Sequence, residues 1–230
     1  MKINKIKYLR LATKVRNLHT LKWFLRYSSG YFYGTNITPQ QKALFESLSP
    51  GDTFIDLGAN VGKYTFAAAV RGARVHAYEP NSIAFAKLTE NLGSWSNVML
   101  YKEAAYVFNT IGPLFLHQEH DKDPIQYSSG SSLLKQKENI DLDKTESVRV
   151  VDIAEFILQQ KGSIKLIKMD VEGAETIIVP HLIRTGAIEK VENLLIELHD
   201  EKNLELRKPT ELMKEQLAKC AGLNVYLDWH

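Results

Sequence analysis

The chain is expected to fold as an α/β protein, a mostly parallel sheet with helices on both faces, preceded by a helical N-terminal extension. Three observations lead there. From residue 53 onward, short apolar runs of strand length alternate with helical patterns. The run Thr53-Phe54-Ile55-Asp56 passes directly into a glycine loop, Gly58-Ala59-Asn60-Val61-Gly62, that opens a helix. A second strand, Arg74 to Tyr78, then ends at an acid, Glu79. A strand, a glycine loop, a helix and a second strand tipped by a carboxylate make a nucleoside-binding half-site, with the acid placed to take ribose hydroxyls.

The elements follow in order. Up to Phe45 there is no Asp or Glu, while Lys2, Lys5, Lys7, Arg10, Lys14, Arg16, Lys22, Arg26 and Lys42 are basic. Ile3, Ile6, Leu9, Ala12, Val15, Leu18, Leu21 and Phe24 recur at three-residue steps, which suits one or two basic amphipathic helices. Such a segment serves as a cap on the core with its lysines in water, or as a surface for an anionic membrane, nucleic acid or a lipid-linked glycan acceptor. An aromatic loop, Gly30 to Gly34, separates it from a helix beginning at Pro39, where Thr38 and Gln41 form a capping box. Helices are expected at Val61 to Val70 and Ser82 to Leu92, with a third strand at Val98 to Tyr101. Tyr106 to His117 reads as a hairpin turning near Asn109 to Gly112, and Gln118 to Thr145 as a polar insertion. Then come a short strand (Ser147 to Val151), a helix (Ile153 to Gln160), a strand (Ile164 to Met169) and a helix (Thr176 to Thr185). A strand (Leu194 to Leu198), a helix (Pro209 to Cys220) and a sixth sheet strand (Asn224 to Trp229) complete the series.

The glycine spacing selects the ligand. Dinucleotide folds use three glycines as G-x-G-x-x-G so that a pyrophosphate can approach the backbone. Here two glycines stand four apart, with Asp56 ahead of them and Asn60 between. An acid facing the loop repels a pyrophosphate and suits a ligand with an ammonium group, such as the methionine end of S-adenosylmethionine.

Four blocks then resemble one family. Asp56-Leu-Gly-Ala-Asn-Val-Gly62, Tyr78-Glu-Pro-Asn81, Lys168-Met-Asp-Val-Glu-Gly-Ala-Glu175 and Ile196-Glu-Leu-His199 are similar, in order and spacing, to the FkbM family of S-adenosylmethionine-dependent methyltransferases. Asn97-Val98 followed by Ala104, and Gly130-Ser131-Ser132-Leu133, are smaller echoes. The resemblance implies a Rossmann-like class I methyltransferase fold. It implies cofactor contacts at Asp56, Gly58, Asn60, Gly62, Thr65, Glu79, Pro80, Asn81, Ala104 and Asp170. Asp170, Glu172 and His199 are the candidate catalytic groups, because a hydroxyl acceptor needs a base. The family's usual acceptor is a hydroxyl of a sugar, glycan or natural product. That class of sheet normally ends with an antiparallel seventh strand, for which no segment is left before His230.

The remaining features bound the function. A chain of 230 residues suits a basic extension (1–45) and one methyltransferase domain (46–230). The lone Cys220 fits a reducing cytosol, and no run approaches a membrane span. His117, His120, Asp121 and Asp123 match no zinc spacing and read as a solvated loop, so no metal is expected there. Mg²⁺ at Asp170 and Glu172 is compatible with the sequence but not demanded by it. The place where base N-methylating enzymes carry an Asn/Asp-Pro-Pro-aromatic run reads Asp170-Val-Glu-Gly173, which makes nucleic acid the lesser expectation. An RNA ribose methyltransferase and a non-catalytic nucleoside-binding module remain the alternatives. The insertion and the aromatics Tyr31, Phe32 and Tyr33 are expected to rim an acceptor site.

Overall fold

The computed structural model describes residues 17–29, 37–134, 139–201 and 203–229. Most of the basic extension and the aromatic loop lie outside them. Helix α1 (Leu18–Ser29) is capped by Asn17, whose Oδ1 accepts from the Thr20 N–H at 2.8 Å. The Asn17 amide also donates to Asn91 Oδ1 at 2.8 Å, which ties the helix to the domain. The buried face is not the three-residue stripe. Thr20, Trp23 and Phe24 are buried and Tyr27 packs against the same core, whereas Leu18 and Leu21 are exposed. A real α-helix turns 3.6 residues, so the i, i+3, i+4, i+7 set wins over strict threes. Helix α2 (Pro39–Ser47) carries the expected capping box, with Gln41 N donating to Thr38 Oγ1 and Thr38 N to Gln41 Oε1.

The first half of the domain contains β1 (Thr53–Leu57), α3 (Lys63–Ala69), β2 (Arg74–Tyr78), α4 (Ser82–Leu92) and β3 (Val98–Tyr101). The second contains β4 (Glu103–Tyr106), β5 (Thr110–His117), β6 (Ile140–Asp152), α5 (Ile153–Gln159), β7 (Leu166–Met169), α6 (Glu175–Arg184), β8 (Asn193–Glu197), α7 (Arg207–Leu217) and β9 (Asn224–Trp229). Six strands form one all-parallel sheet in the order β3-β2-β1-β7-β8-β9. This is the expected mostly parallel, Rossmann-like α/β fold. β8 pairs directly with β9, so no seventh strand stands between them.

Two expectations are corrected. Tyr106 to His117 is not a hairpin: β4 and β5 flank β6 in a separate three-stranded sheet of order β4-β6-β5. The polar insertion also ends earlier, because Ile140 to Thr145 form the start of β6 and pair antiparallel with β5. That stretch reads as loop because much of it faces water, and alternation with polar residues hides a strand.

Alternation along each central strand divides the core. Phe54 and Leu166 pack with α1 to α4 on one face. Ile55, Leu57, Ile167, Met169, Leu194 and Ile196 pack with α5 to α7 on the other. The β1–β7 register sets Phe54 beside Leu166, Ile55 beside Ile167 and Asp56 beside Lys168. A buried acid therefore meets a buried lysine across neighbouring strands.

The glycines of the loop are required by packing. A Cβ on Gly58, at φ +76°, would sit 1.8 Å from the Asp170 carbonyl oxygen, and one on Gly62 would sit 2.6 Å from Leu88 Cδ1. The clash at Gly58 is with backbone of the next strand, not with space for a methionine chain. Gly58→Ala is expected to destabilise the ligand-free protein by about 2–5 kcal/mol, from left-handed backbone strain plus overpacking. Urea unfolding without cofactor checks this; an unchanged midpoint would show that the two strand ends are not in contact.

Candidate functional site

The glycine loop is latched to the end of β2. Gly58 N and Ala59 N both donate to the Tyr78 carbonyl, at 3.0 and 2.9 Å. Glu79 then receives two more main-chain donors, Asn60 N on Oε2 at 2.8 Å and Asn81 N on Oε1 at 2.9 Å. Each carboxylate oxygen keeps a lone pair for a ligand hydroxyl. Asn60 reaches its position with φ +49°, where its Oδ1 accepts from Val61 N. Burial pushes the Glu79 carboxyl up to about 7, against the pull of the Asn81 and Asn60 N–H groups and the Lys168 charge.

Asp56 does not face the loop as an acceptor for a ligand's ammonium. It is fully buried, takes a 2.6 Å hydrogen bond from Thr65 Oγ1, and stands 3.4 Å from Lys168 Nζ. The cation beside it is the chain's own. Lys168 Nζ also donates to the Gly58 carbonyl at 2.6 Å and lies 3.5 Å from Asp170 Oδ2. Burial disfavours its charge, but the carboxylates of Asp56 and Asp170 outweigh that and hold it above the ordinary lysine range. The same surroundings push the Tyr64 hydroxyl up to about 12, burial being the main cause.

The ends of β7 and β8 bring the candidate catalytic residues together. His199 is buried, with Nε2 3.7 Å from Asp170 Oδ1 and 3.4 Å from Glu172 Oε2. Its Nδ1 lies 3.1 Å from Glu175 Oε1, while Glu175 Oε2 accepts from Gly173 N at 2.9 Å. Burial opposes charge on the imidazole, yet the Glu175 hydrogen bond and the charges of Glu175, Glu172 and Asp170 raise it to about 9. Glu172 holds φ +56°, the second non-glycine residue in left-handed conformation among those described.

Between the Glu79 latch and this cluster lies a cleft that is open to solvent. Gly58, Asn60, Glu79 and Pro80 line one side, Asp170 and Glu172 another. Ala104, Ser128, Ser131 and Ser132 close it from the small sheet and the insertion. Ser128 meets Asn60 Nδ2 at 3.3 Å, and Ser132 Oγ donates to the Glu172 carbonyl at 2.9 Å. Ser131 Oγ is buried without a protein partner.

Of the expected cofactor residues, Gly58, Asn60, Glu79, Pro80, Ala104 and Asp170 line the cleft, and Asp56, Gly62, Thr65 and Asn81 stand behind it. Asn81 caps α4 through 3.0 Å bonds from Ile83 N and Ala84 N. The His117 ring stacks on Tyr127, and Asp121 pairs with Lys144. Among the described residues, the one group of metal-ligating side chains in reach of a single ion is Asp170, Glu172 and His199. Sequence reasoning missed Lys168 and Glu175 as site residues, although both stand inside the block that carries Asp170. The available signal was alternation: Lys168 is a charge in an otherwise apolar buried strand. Tyr31, Phe32 and Tyr33 lie outside the described residues.

Two tests follow from this electrostatic frame. Lys168→Met leaves the Asp56 carboxylate buried without its cation, so a loss of about 3–5 kcal/mol is expected. Adding Asp56→Asn should recover part of it, and additive losses in denaturant titrations would show that the pair does not interact. For Glu79, a folded-state pKa of about 7, above the ordinary carboxyl value of 4.5, means that its stability contribution is complete below pH 4.5 and is lost as pH rises through 7. Relative to Glu79→Gln, which mimics the protonated acid, the native protein should lose up to about 3 kcal/mol between pH 4.5 and 8. Parallel stability profiles for the two proteins would contradict the raised pKa.

A family model for the methyltransferase FkbM domain matches residues 56–219. None of the curated proteins compared with the chain matches it. Among solved structures, the chain is similar to methyltransferase FkbM from Methylobacillus flagellatus KT, at 15% identity and a TM-score of 0.43, over 91% of this chain and 52% of that one. It therefore spans about half the length of that protein. It is also similar to a protein named as an rRNA methylase from Clostridium thermocellum (14% identity, TM-score 0.40, 76% of this chain and 75% of that one). A third is named as an RNA methyltransferase from Pyrococcus horikoshii (14% identity, TM-score 0.30, 83% and 71%). Because the matched segment opens at Asp56 and runs past α7, taking in both halves of the sheet, the chain belongs to the FkbM methyltransferase family.

Proposed function

We propose that this chain is an S-adenosylmethionine-dependent O-methyltransferase acting on a hydroxyl of a sugar, glycan or natural product. The observation that carries the reading is one cleft lined by Glu79 on one side and by Asp170 and Glu172, backed by the buried His199, on the other. The residues fit the cofactor: Glu79 presents two oxygens toward ribose hydroxyls, Asn60 and Pro80 flank it, and Ser131 Oγ awaits a partner. When bound, the cofactor supplies a methyl group on a sulfonium sulfur, which takes back the S–C bonding pair and leaves as a neutral thioether.

The protein's part is to position and to accept a proton. Asp170 reaches the cleft with its side chain 27% exposed, its two oxygens flanked by Lys168 and His199. In this reading the acceptor O–H gives its proton to that carboxylate as the oxygen forms the new C–O bond. General-base assistance of this kind contributes typically 10²–10⁴-fold. Ser128 and Ser131 offer hydrogen-bonding groups in the cleft lining that suit a polyhydroxylated acceptor. The same reading assigns a cytoplasmic enzyme whose basic N-terminal segment meets anionic lipid or a lipid-linked acceptor. No described helix is long and apolar enough to cross a membrane.

Glu79→Ala is expected to weaken S-adenosylmethionine binding by about 1.5–3 kcal/mol, the worth of hydrogen bonds to a charged group. Calorimetry on the folded variant checks it, and unchanged affinity would place the ribose elsewhere. The reaction itself is tested by offering labelled cofactor with glycans, hydroxylated natural products and RNA. Methylated carbohydrate oxygen supports the reading, labelled RNA overturns the acceptor class, and binding without any product points to a non-catalytic module.

A further inference from the structure

We propose that Asp170, Glu172 and His199 form a binding site for one divalent cation of the Mg²⁺/Mn²⁺ type, with Glu175 orienting the imidazole from behind. The distances suit it. Two ligand atoms each about 2.1 Å from one ion lie about 3.0 Å apart when adjacent in an octahedron and about 4.2 Å apart when opposite. His199 Nε2 stands 3.4 Å from Glu172 Oε2 and 3.7 Å from Asp170 Oδ1, and all three ligand atoms lie within 4.8 Å of one another. The two histidine distances exceed a good hydrogen bond and fall inside the span that a shared ion sets.

The surroundings add a second, independent observation. The His199 side chain is 4% exposed and Glu175 only 1%, and the Glu175 carboxylate is held by Gly173 N while it takes the His199 Nδ1 side. A metal-binding histidine commonly gives its other ring nitrogen to a carboxylate, which fixes the tautomer and aims the free nitrogen at the ion. Three carboxylates thus face one imidazole, with Glu175 and His199 buried and Asp170 and Glu172 partly open to the cleft. Lys168 supplies positive charge, but on Asp170 Oδ2, the oxygen turned away from His199. Two carboxylates and one imidazole, with no thiolate, suit hard to intermediate ions, and Mn²⁺ is the probe that accepts both donor types. Three protein ligands leave positions open toward the cleft that Asp170 and Glu172 line. Resting on the O-methyl transfer reading, the cation's role is to bind the acceptor hydroxyl oxygen and lower its pKa, with Asp170 Oδ2, the oxygen beside Lys168, left to take the proton.

The test uses metal alone. Full-length protein stripped with EDTA is titrated with Mn²⁺ and followed by electron paramagnetic resonance and calorimetry, without cofactor or acceptor. One Mn²⁺ per chain is expected, competed by Mg²⁺. Asp170→Asn with Glu172→Gln should abolish binding, and Glu175→Gln should weaken it about 10–100-fold. Thermal melts confirm that each variant is folded; if Glu175→Gln does not fold, Glu172→Gln alone serves. No saturable binding to the native chain, or equal binding by the double variant, overturns the site. The two readings fail separately: a chain that binds Mn²⁺ here but never yields methyl ether keeps the site and loses the activity. One that methylates undiminished in EDTA keeps the activity and loses the cation's role in it.

Discussion

The arrangement depends on one pair of charges, Asp56 and Lys168, set side by side on adjacent parallel strands near the middle of the sheet. Neither reaches water: Asp56 is 0% exposed and Lys168 3%. Removing both from solvent is costly, and their mutual attraction offsets it only because each has further partners. Thr65 serves Asp56, while the Gly58 carbonyl and Asp170 serve Lys168. One ammonium group thereby fixes the end of β1, the glycine loop and the end of β7 relative to each other. A slip of one residue between these strands would turn Lys168 to the opposite, apolar face, so the pair also specifies register.

From that anchor the site is assembled by strand ends. Parallel strands all finish at the same edge, and each of the three central ends contributes a different group. β1 gives the loop, β2 gives Glu79, and β7 gives Asp170 followed by the left-handed turn at Glu172 and Gly173. β8 ends two residues before His199, which leans back toward β7 because Glu175, in the first turn of α6, holds its ring. Backbone N–H groups do much of the positioning: two on Glu79 and one on Glu175. Such donors are fixed by the fold and cost little rotamer entropy at the moment of ligand binding.

The small β4-β6-β5 sheet explains how the insertion takes part. β6 carries the chain back across β5, and of the segment between them Ser128, Ser131, Ser132 and Leu133 return to the strand ends. The Ser132 backbone pairs with Phe115 and its hydroxyl with the Glu172 carbonyl, and Glu146 on β6 accepts from Ser82 N at 3.0 Å. These contacts place serines against the same cleft that Glu79 and Asp170 line. The Glu172 turn and the start of α4 are thus both tied to the small sheet and its insertion.

The sequence by itself determined the alternation of strands and helices, the glycine loop, the acid at the end of β2 and the blocks that carry Asp170 and His199. These are local: a buried strand is an apolar run, a tight turn needs glycine, and a cap needs its own neighbours. Ser82 to Leu92, Arg74 to Tyr78 and Val98 to Tyr101 were legible to the residue for that reason. Only the tertiary structure decided which groups meet. That Gly58 answers to the Asp170 backbone, that Asp56 answers to Lys168 and that His199 answers to Glu175 follows from strand register. Register is set by packing between segments more than a hundred residues apart for the first two pairs. The β5–β6 pairing was hidden for a similar reason, since its two strands are separated by a polar stretch that gives no local sign of closure. Local propensity names the elements; burial of their faces against one another chooses the neighbours.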